Sequence, residues 1–184
     1  MGTRAPLRAA VAFAAAAAVA TAAAACGGSA GKAGTTITLP GGPSASPKAR
    51  TASFGDTYAY RDGLRVTVTR PVRFTPSGTA LGHEAGNQAV KLTVALANSG
   101  KHPLDTAGVL VTLESGDKAD RARQVFDSAS GVGTPFTGTL EPNGSGKASL
   151  AFDVPPGGLG RLDVAVRPGF GQEHETAHWT GSAG

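Results

Sequence analysis

Cysteine is almost missing from this chain of 184 residues: Cys26 is the only one. That excludes an intradomain disulfide framework and any Cys-rich zinc module. Aromatic residues make up 5% and charged residues 16%, and there is a single Trp. Downstream of the N-terminus no segment carries an amphipathic helical period, and 27 Gly with 12 Pro argue against a helical bundle. A clustered basic patch is also lacking. Of the 17 Lys and Arg, Arg4 and Arg8 lie near the N-terminus, and Lys32, Lys48 and Arg50 lie in the next segment. From Ser53 onward 12 basic residues face 13 acidic ones, a net charge of −1 against +4 for the whole chain. Interspersed, near-neutral charge is the wrong footprint for a nucleic-acid partner, which demands clustered Lys and Arg.

The N-terminus reads as an address. Arg4 and Arg8 precede an apolar run from Ala9 to Ala25, composed mostly of Ala. A basic start and a short apolar stretch mark an export signal, here residues 1–25. The run is shorter than the roughly 20 strongly apolar residues of a membrane span. It stops at Ala25-Cys26-Gly27-Gly28-Ser29, which resembles a bacterial lipobox. That resemblance implies diacylation of the Cys26 thiol, removal of the signal before it, and anchoring by several acyl chains, which one chain cannot provide. Ala23 departs from the pattern, which favours Leu at that position. The other reading is a soluble secreted protein cut at an Ala-x-Ala site.

Residues 26–52 are rich in Gly, Ser, Thr, Ala and Pro and are expected to form a flexible tether. Its three basic residues fit simple solubility, or a weak attraction to an anionic membrane surface. From residue 53 to 184 the pattern is alternation with period two, the mark of half-buried strands. Leu64, Val66 and Val68 form one row, with Val72 and Phe74 keeping the parity beyond Pro71. Val90, Leu92, Val94 and Leu96 form another; later rows run through Val109–Leu113, Leu150–Val154 and Leu162–Val166. Weaker strands are expected near Gln124–Phe126 and at Thr176–Thr180. Asp62-Gly63 suggests a tight hairpin, and Asn98-Ser99-Gly100 a turn using positive backbone angles. Pro71 suits an edge or a bulge, Asp127 and Ser128 suit loop capping, and Trp179 suits the core, with its indole N–H needing a partner. The expectation is an all-β fold, an Ig-like antiparallel β-sandwich of about 7–9 strands. About 130 residues can build such a core without disulfides.

Several stretches carry a resemblance in this order: Phe54–Val68, Ala97–Gly100, Gln124–Ser128, Gly138–Pro142, Ala151–Pro155, Arg167–Phe170 and Trp179–Gly181. Together they resemble the uncharacterised Ig-like domains of bacterial lipoproteins and secreted proteins, related in fold to an immunoprotective extracellular antigen. The resemblance implies an Ig-like sandwich in an exported protein and implies no activity.

One motif points to chemistry. His174-Glu175-Thr176-Ala177-His178 reads H-E-x-x-H, which on a helix puts two zinc ligands on one face with Glu as general base. Gly181 continues the longer metzincin pattern, but Gly184 stands where its last His belongs. The context is that of a strand, where residues four apart are separated by roughly 13 Å rather than the 5–6 Å of a helix. A third ligand would have to come from upstream, from His83 or His102. Glu114, Asp117 and Asp120 do not have EF-hand spacing and suit a solvated hairpin tip. Gly131-Val132-Gly133 and Gly144-Ser145-Gly146 lack the Lys and helix of a phosphate loop.

The expectation is thus a non-enzymatic extracytoplasmic lipoprotein without cofactor or metal, lipid-attached through Cys26 to the outer face of the cytoplasmic membrane. Its partner would be an unidentified envelope or extracellular protein or peptide. The alternatives are a small zinc-dependent hydrolase using the segment 174–178, or a structural envelope spacer with no ligand.

Overall fold

The computed structural model of the chain describes residues 51–170 and 174–184. The signal segment, the tether up to residue 50 and Cys26 lie outside them. Among the described residues no helix is long and apolar enough to cross a membrane.

Strands β1 (Thr51–Ser53), β7 (Val109–Ser115), β8 (Asp120–Arg121), β12 (Leu162–Pro168) and β13 (Ala177–Gly181) form one sheet, in the order β1-β13-β12-β7-β8. Its pairings are antiparallel except that of β1 with β13. The second sheet is six-stranded and antiparallel. Its path is β2 (Thr57–Ala59), β3 (Leu64–Val68), β5 (Gln88–Asn98), β11 (Ser145–Val154) and β9 (Arg123–Val125), and β4 (Val72–Arg73) also pairs β5. A small ribbon joins β6 (Leu104–Asp105) to β10 (Thr139–Leu140). The architecture is the expected all-β sandwich.

The alternation explains the layering. Along β5 and β11 the residues with even numbers are matched in register, Val90 opposite Phe152, Leu92 opposite Leu150 and Val94 opposite Ala148. Each such row points to one face of its sheet. Those side chains meet Leu113, Leu162, Val164, Val166, Ala177 and Trp179 of the first sheet in one buried cluster. Trp179 is fully buried, and its indole N–H donates to the Asp56 carbonyl at 3.0 Å.

Among the described residues the strands number thirteen rather than seven to nine, because four are two-residue pieces too short to leave a periodic trace. Strand β1 begins at Thr51, inside the stretch that composition assigns to the tether. Val72 corrects a second expectation. Val68 pairs Val94 but Val72 pairs Lys91, so the β3–β4 lane holds one extra residue around Pro71. This bulge flips the parity, so that Val72 is 45% exposed and does not continue the inward row. Phe74 follows it to the outer face, where it packs with Ala80 against Val125, Val132 and Ala151 in a second, smaller cluster.

Candidate functional site

A cleft of about 480 Å³ lies at one end of the sandwich, shaped by the β2–β3 turn, the loop after β5 and the segment before β13. The turn follows from its residues. Gly63 takes φ +97, its N–H donates to the Tyr60 carbonyl at 3.2 Å, and the Leu64 amide donates to Asp62 Oδ1 at 3.1 Å. A Cβ on Gly63 would sit 2.6 Å from the Gly100 nitrogen, so this hairpin and the neighbouring loop touch backbone to backbone.

Asn98 holds that loop. It is buried at the end of β5, and its Nδ2 donates to the carbonyls of His102 at 2.8 Å and Leu140 at 3.0 Å. Its Oδ1 accepts from the Gly100 amide at 2.9 Å. Neither Asn98 nor Gly100 has a positive φ, contrary to the turn reading. Gly100 is required instead by close approach, since a Cβ there would collide with the Asp62 carbonyl.

The third wall is the beginning of the H-E-x-x-H segment. His174 Nε2 meets Asp62 Oδ2 at 2.7 Å, with 10% of the His174 side chain exposed and 54% of that of Asp62. Partial burial raises the pKa of Asp62, but the Leu64 amide and the His174 ring outweigh it and leave the carboxyl below its ordinary value. The Tyr60 hydroxyl donates to the Glu175 carbonyl at 3.0 Å, and the Tyr58 hydroxyl to Glu175 Oε1 at 3.2 Å. His174, Tyr60, Tyr58 and Trp179 form a run of edge-to-face ring contacts with centroids 5.0, 4.7 and 6.4 Å apart. Such pairs add packing energy beyond their buried area.

This geometry separates the motif residues. His178 lies on β13, with Nδ1 2.9 Å from Asp163 Oδ1 on β12, whereas His174 is tied to the hairpin of the other sheet. The Glu175 carboxylate accepts from the Tyr58 hydroxyl, and its backbone carbonyl from the Tyr60 hydroxyl. His102 lines the cleft, but His83 is bonded to Asp153 at 2.7 Å. Among the described residues no three His, Cys, Asp or Glu gather as metal ligands. His174 is packed against the Tyr60 ring, and His178 is half-buried on β13. Asp117 does sit at an exposed tip, 3.4 Å from Arg161, and Glu114 faces Arg121 and Asp163 across β7. Asp127 caps its loop, as read, by accepting from Ser77 and Ser130. Four hydrogen bonds to its oxygens pull its pKa from 3.8 to about 2, that of the Ser77 amide first.

Sequence reasoning missed Tyr58, Tyr60 and Asp62 as partners of the C-terminal segment. Only a spacing of more than 110 residues links them, which no local pattern reports.

Two packed antiparallel layers around one core, closed by loops at the ends, define an Ig-like β-sandwich. The chain belongs to the DUF4352 family, a domain of unknown function, which matches residues 55–175. Among solved structures, YcdA of Bacillus subtilis, named as a lipoprotein candidate, is similar at 19% identity with a TM-score of 0.56. That match covers 71% of this chain and 39% of YcdA, so this chain spans about two fifths of that protein. YjhA of Bacillus subtilis is similar at 14% identity and a TM-score of 0.54, over 72% of this chain and 99% of its own. The secreted protein MPT63 of Mycobacterium tuberculosis matches at 14% identity and a TM-score of 0.47, over 70% of this chain and 95% of its own. No curated protein matches the sequence.

Proposed function

We propose that the chain is an exported lipoprotein, held by Cys26 on the outer face of the membrane, whose sandwich is a non-enzymatic interaction module. The observation that carries the binding part is the preformed cleft at the loop end. Its volume of about 480 Å³ is in the range of ligand sites, and it combines apolar Leu64, Pro103 and Leu104 with the polar groups of Arg61, Asp62 and His174. Its walls are joined by the Asp62–His174 bond and by the Ser99 amide donating to the Gly63 carbonyl, so little ordering is left for a ligand to impose. The commitment of His174 and His178 to different carboxylates supports binding over zinc hydrolysis. The lipobox-like residues and the name of YcdA support the anchor.

Two experiments test this. In the producing cell, Cys26→Ser is expected to move the protein from the membrane fraction to the soluble extracytoplasmic fraction. A substituted chain that stays with the membrane argues against thioether anchoring. For binding, a photoreactive residue at Arg61 or His102 of the full chain is expected to yield a discrete protein or peptide adduct on intact cells. The same probe at Lys118, on the far β7–β8 turn, is expected to yield none. Identical diffuse labelling from all three positions would discard the cleft as a binding site.

A further inference from the structure

The domain is close to neutral, yet its charges are not evenly shared between its two outer faces. On the six-stranded sheet, the second hydrophobic cluster covers the end near β9. Among the described residues no second layer covers the rest of that face. Its floor is small, with Ala59 and Ala97 beside Arg65 in one register row, and Ala95 between Thr67 and Lys147 in the next. Arg65 and Lys147 rise from it, both exposed, and neither has an ion-pair partner among the described residues. Lys91, on the same face of β5, lies 6.0 Å over the Phe74 ring and marks the border of the covered part. None of the residues lining this shallow depression is acidic. Toward the covered end the acids are engaged, Asp153 by His83 and Asn87, and Glu84 by Arg123; Asp56 precedes Thr57 of the lining, and Glu141 lies in the turn before Ser145. The outer face of the other sheet is different, with Glu114 directly opposite Asp163 and an Arg at position 121 beside them.

We propose that the bare face bearing Arg65, Lys147 and Lys91 docks flat on an anionic lipid surface. The inference rests on the anchored reading given above, and adds to it an orientation.

Three features favour a membrane over a discrete ligand. First, the cations do not converge. Strand spacings of about 4.8 Å and rises of about 3.4 Å put Arg65 and Lys147 roughly 12 Å apart, and Lys147 and Lys91 roughly 14 Å apart. Spread charges match a spread surface of headgroups, and they are too far apart to clasp one phosphate. Second, the floor of Ala, Ser and Thr lets the sheet approach a flat surface closely, and the exposed apolar Val72, beside Lys91, lies at its border rather than between Arg65 and Lys147. Third, Lys32, Lys48 and Arg50 lie between Cys26 and the domain, so the connecting segment has the same sign. Each basic residue near an anionic membrane surface is worth about a fivefold change in binding. Three of them give weak docking for a free protein. Confinement by an anchor makes the step intramolecular, which is the condition under which weak docking counts.

The test uses the full chain incorporated into phosphatidylcholine vesicles, with and without anionic phosphatidylglycerol. The rates of modification by a water-soluble amine reagent are read at Lys147 and at Lys118. Lys147 is expected to react several-fold more slowly on the anionic vesicles, with Lys118 unchanged. Added salt should restore the rate, because screening shortens the reach of exposed charges. Arg65→Glu, on the exposed face and outside the core, should also restore it. Equal Lys147 rates on both vesicles, with the chain still bound to them, would refute docking and leave anchoring intact. A chain that does not stay with either vesicle would remove the anchored reading and this inference with it. Equal protection of Lys147 by soluble polyphosphate on neutral vesicles would overturn the lipid assignment in favour of an envelope polyanion.

Discussion

Asn98→Ala should be among the most damaging single-atom-scale changes in the domain, although Asn98 belongs to no hydrophobic row. The side chain makes three hydrogen bonds, to the His102 and Leu140 carbonyls and from the Gly100 amide. Truncation leaves each partner to find water. His102 is exposed, so its carbonyl can be rehydrated, and about 1 kcal/mol is lost there. The bond to Leu140 is buried and costs more, and the Gly100 amide is half-buried. The sum is about 3 kcal/mol, out of a total stability of roughly 5–15 kcal/mol. For a domain of this size that is a fall in Tm of roughly 10–15 °C. Asn98→Asp sharpens the test. The new carboxylate still accepts from Gly100, but its other oxygen faces two carbonyls, where an acceptor is repelled. The substituted domain should therefore be less stable than the Ala variant at neutral pH. Repulsion and burial raise the folded-state pKa of that carboxyl above its unfolded value. Its relative stability is then greatest at acid pH and falls as pH rises through the folded pKa. Thermal unfolding followed by circular dichroism at about pH 4.5 and about pH 7.5 reads both effects as differences between each variant and wild type at the same pH, which cancels the titration of the remaining carboxylates and histidines. A loss below about 1 kcal/mol for the Ala variant, or an Asp variant equal to it at neutral pH, would show that the amide does not hold the loop.

Three further outcomes follow from the same contacts. Asp127 has its pKa lowered to about 2 by hydrogen bonds from Ser77 and Ser130. The stability it contributes is present above its ordinary pKa and lost as pH falls toward 2, so the gap between wild type and Asp127→Asn should close between about pH 4 and pH 2. A constant gap in acid titrations of the two proteins would contradict this. Trp179→Ala, at a fully buried site, should cost about 3–5 kcal/mol in urea unfolding, and Trp179→Phe clearly less. Equal losses would mean that the N–H bond to Asp56, rather than ring volume, dominates. Purified full-length chain and His178→Ala should show the same zinc content, well below one per chain. One zinc per chain, abolished by the substitution, would return the segment 174–178 to metal chemistry.

What the sequence reveals about this fold is limited by the length over which burial acts. Where a strand runs for ten or so residues with one face inward, as β5 and β11 do, the alternation survives in the residue order and assigns side chains to a face. Two-residue strands such as β6 and β10 bury one side chain each and leave no period to detect. The bulge at Pro71 is a subtler case. Its location was legible from the missing N–H of proline, but its consequence for Val72 was not, because one extra residue reverses every subsequent side chain. Asn98 fails for the opposite reason. Asn-Ser-Gly is good turn chemistry, and the Asn98 Oδ1 does accept from the Gly100 amide two residues on, but its Nδ2 also donates to the carbonyls of Leu140 and His102, which no local pattern reports.

The H-E-x-x-H segment shows why spacing alone cannot assign chemistry. Four residues of separation brings two side chains together only on a helix, and in this chain β13 begins at Ala177, between the two histidines. One consequence is that each histidine serves a different sheet: His178 bonds within the sheet of β12 and β13, while His174 reaches the β2–β3 hairpin of the other. The segment is therefore a clasp between layers. It closes the same end of the sandwich at which Asn98 fixes the neighbouring loop, and both devices border the cleft. Breaking the clasp with His174→Ala while leaving Asn98 in place should then soften the cleft end before the core. Hydrogen exchange would show this as faster exchange at the Leu64 and Gly100 amides, with β5 and β11 unchanged. Uniformly faster exchange along β5 would instead mean that the clasp supports the whole sandwich.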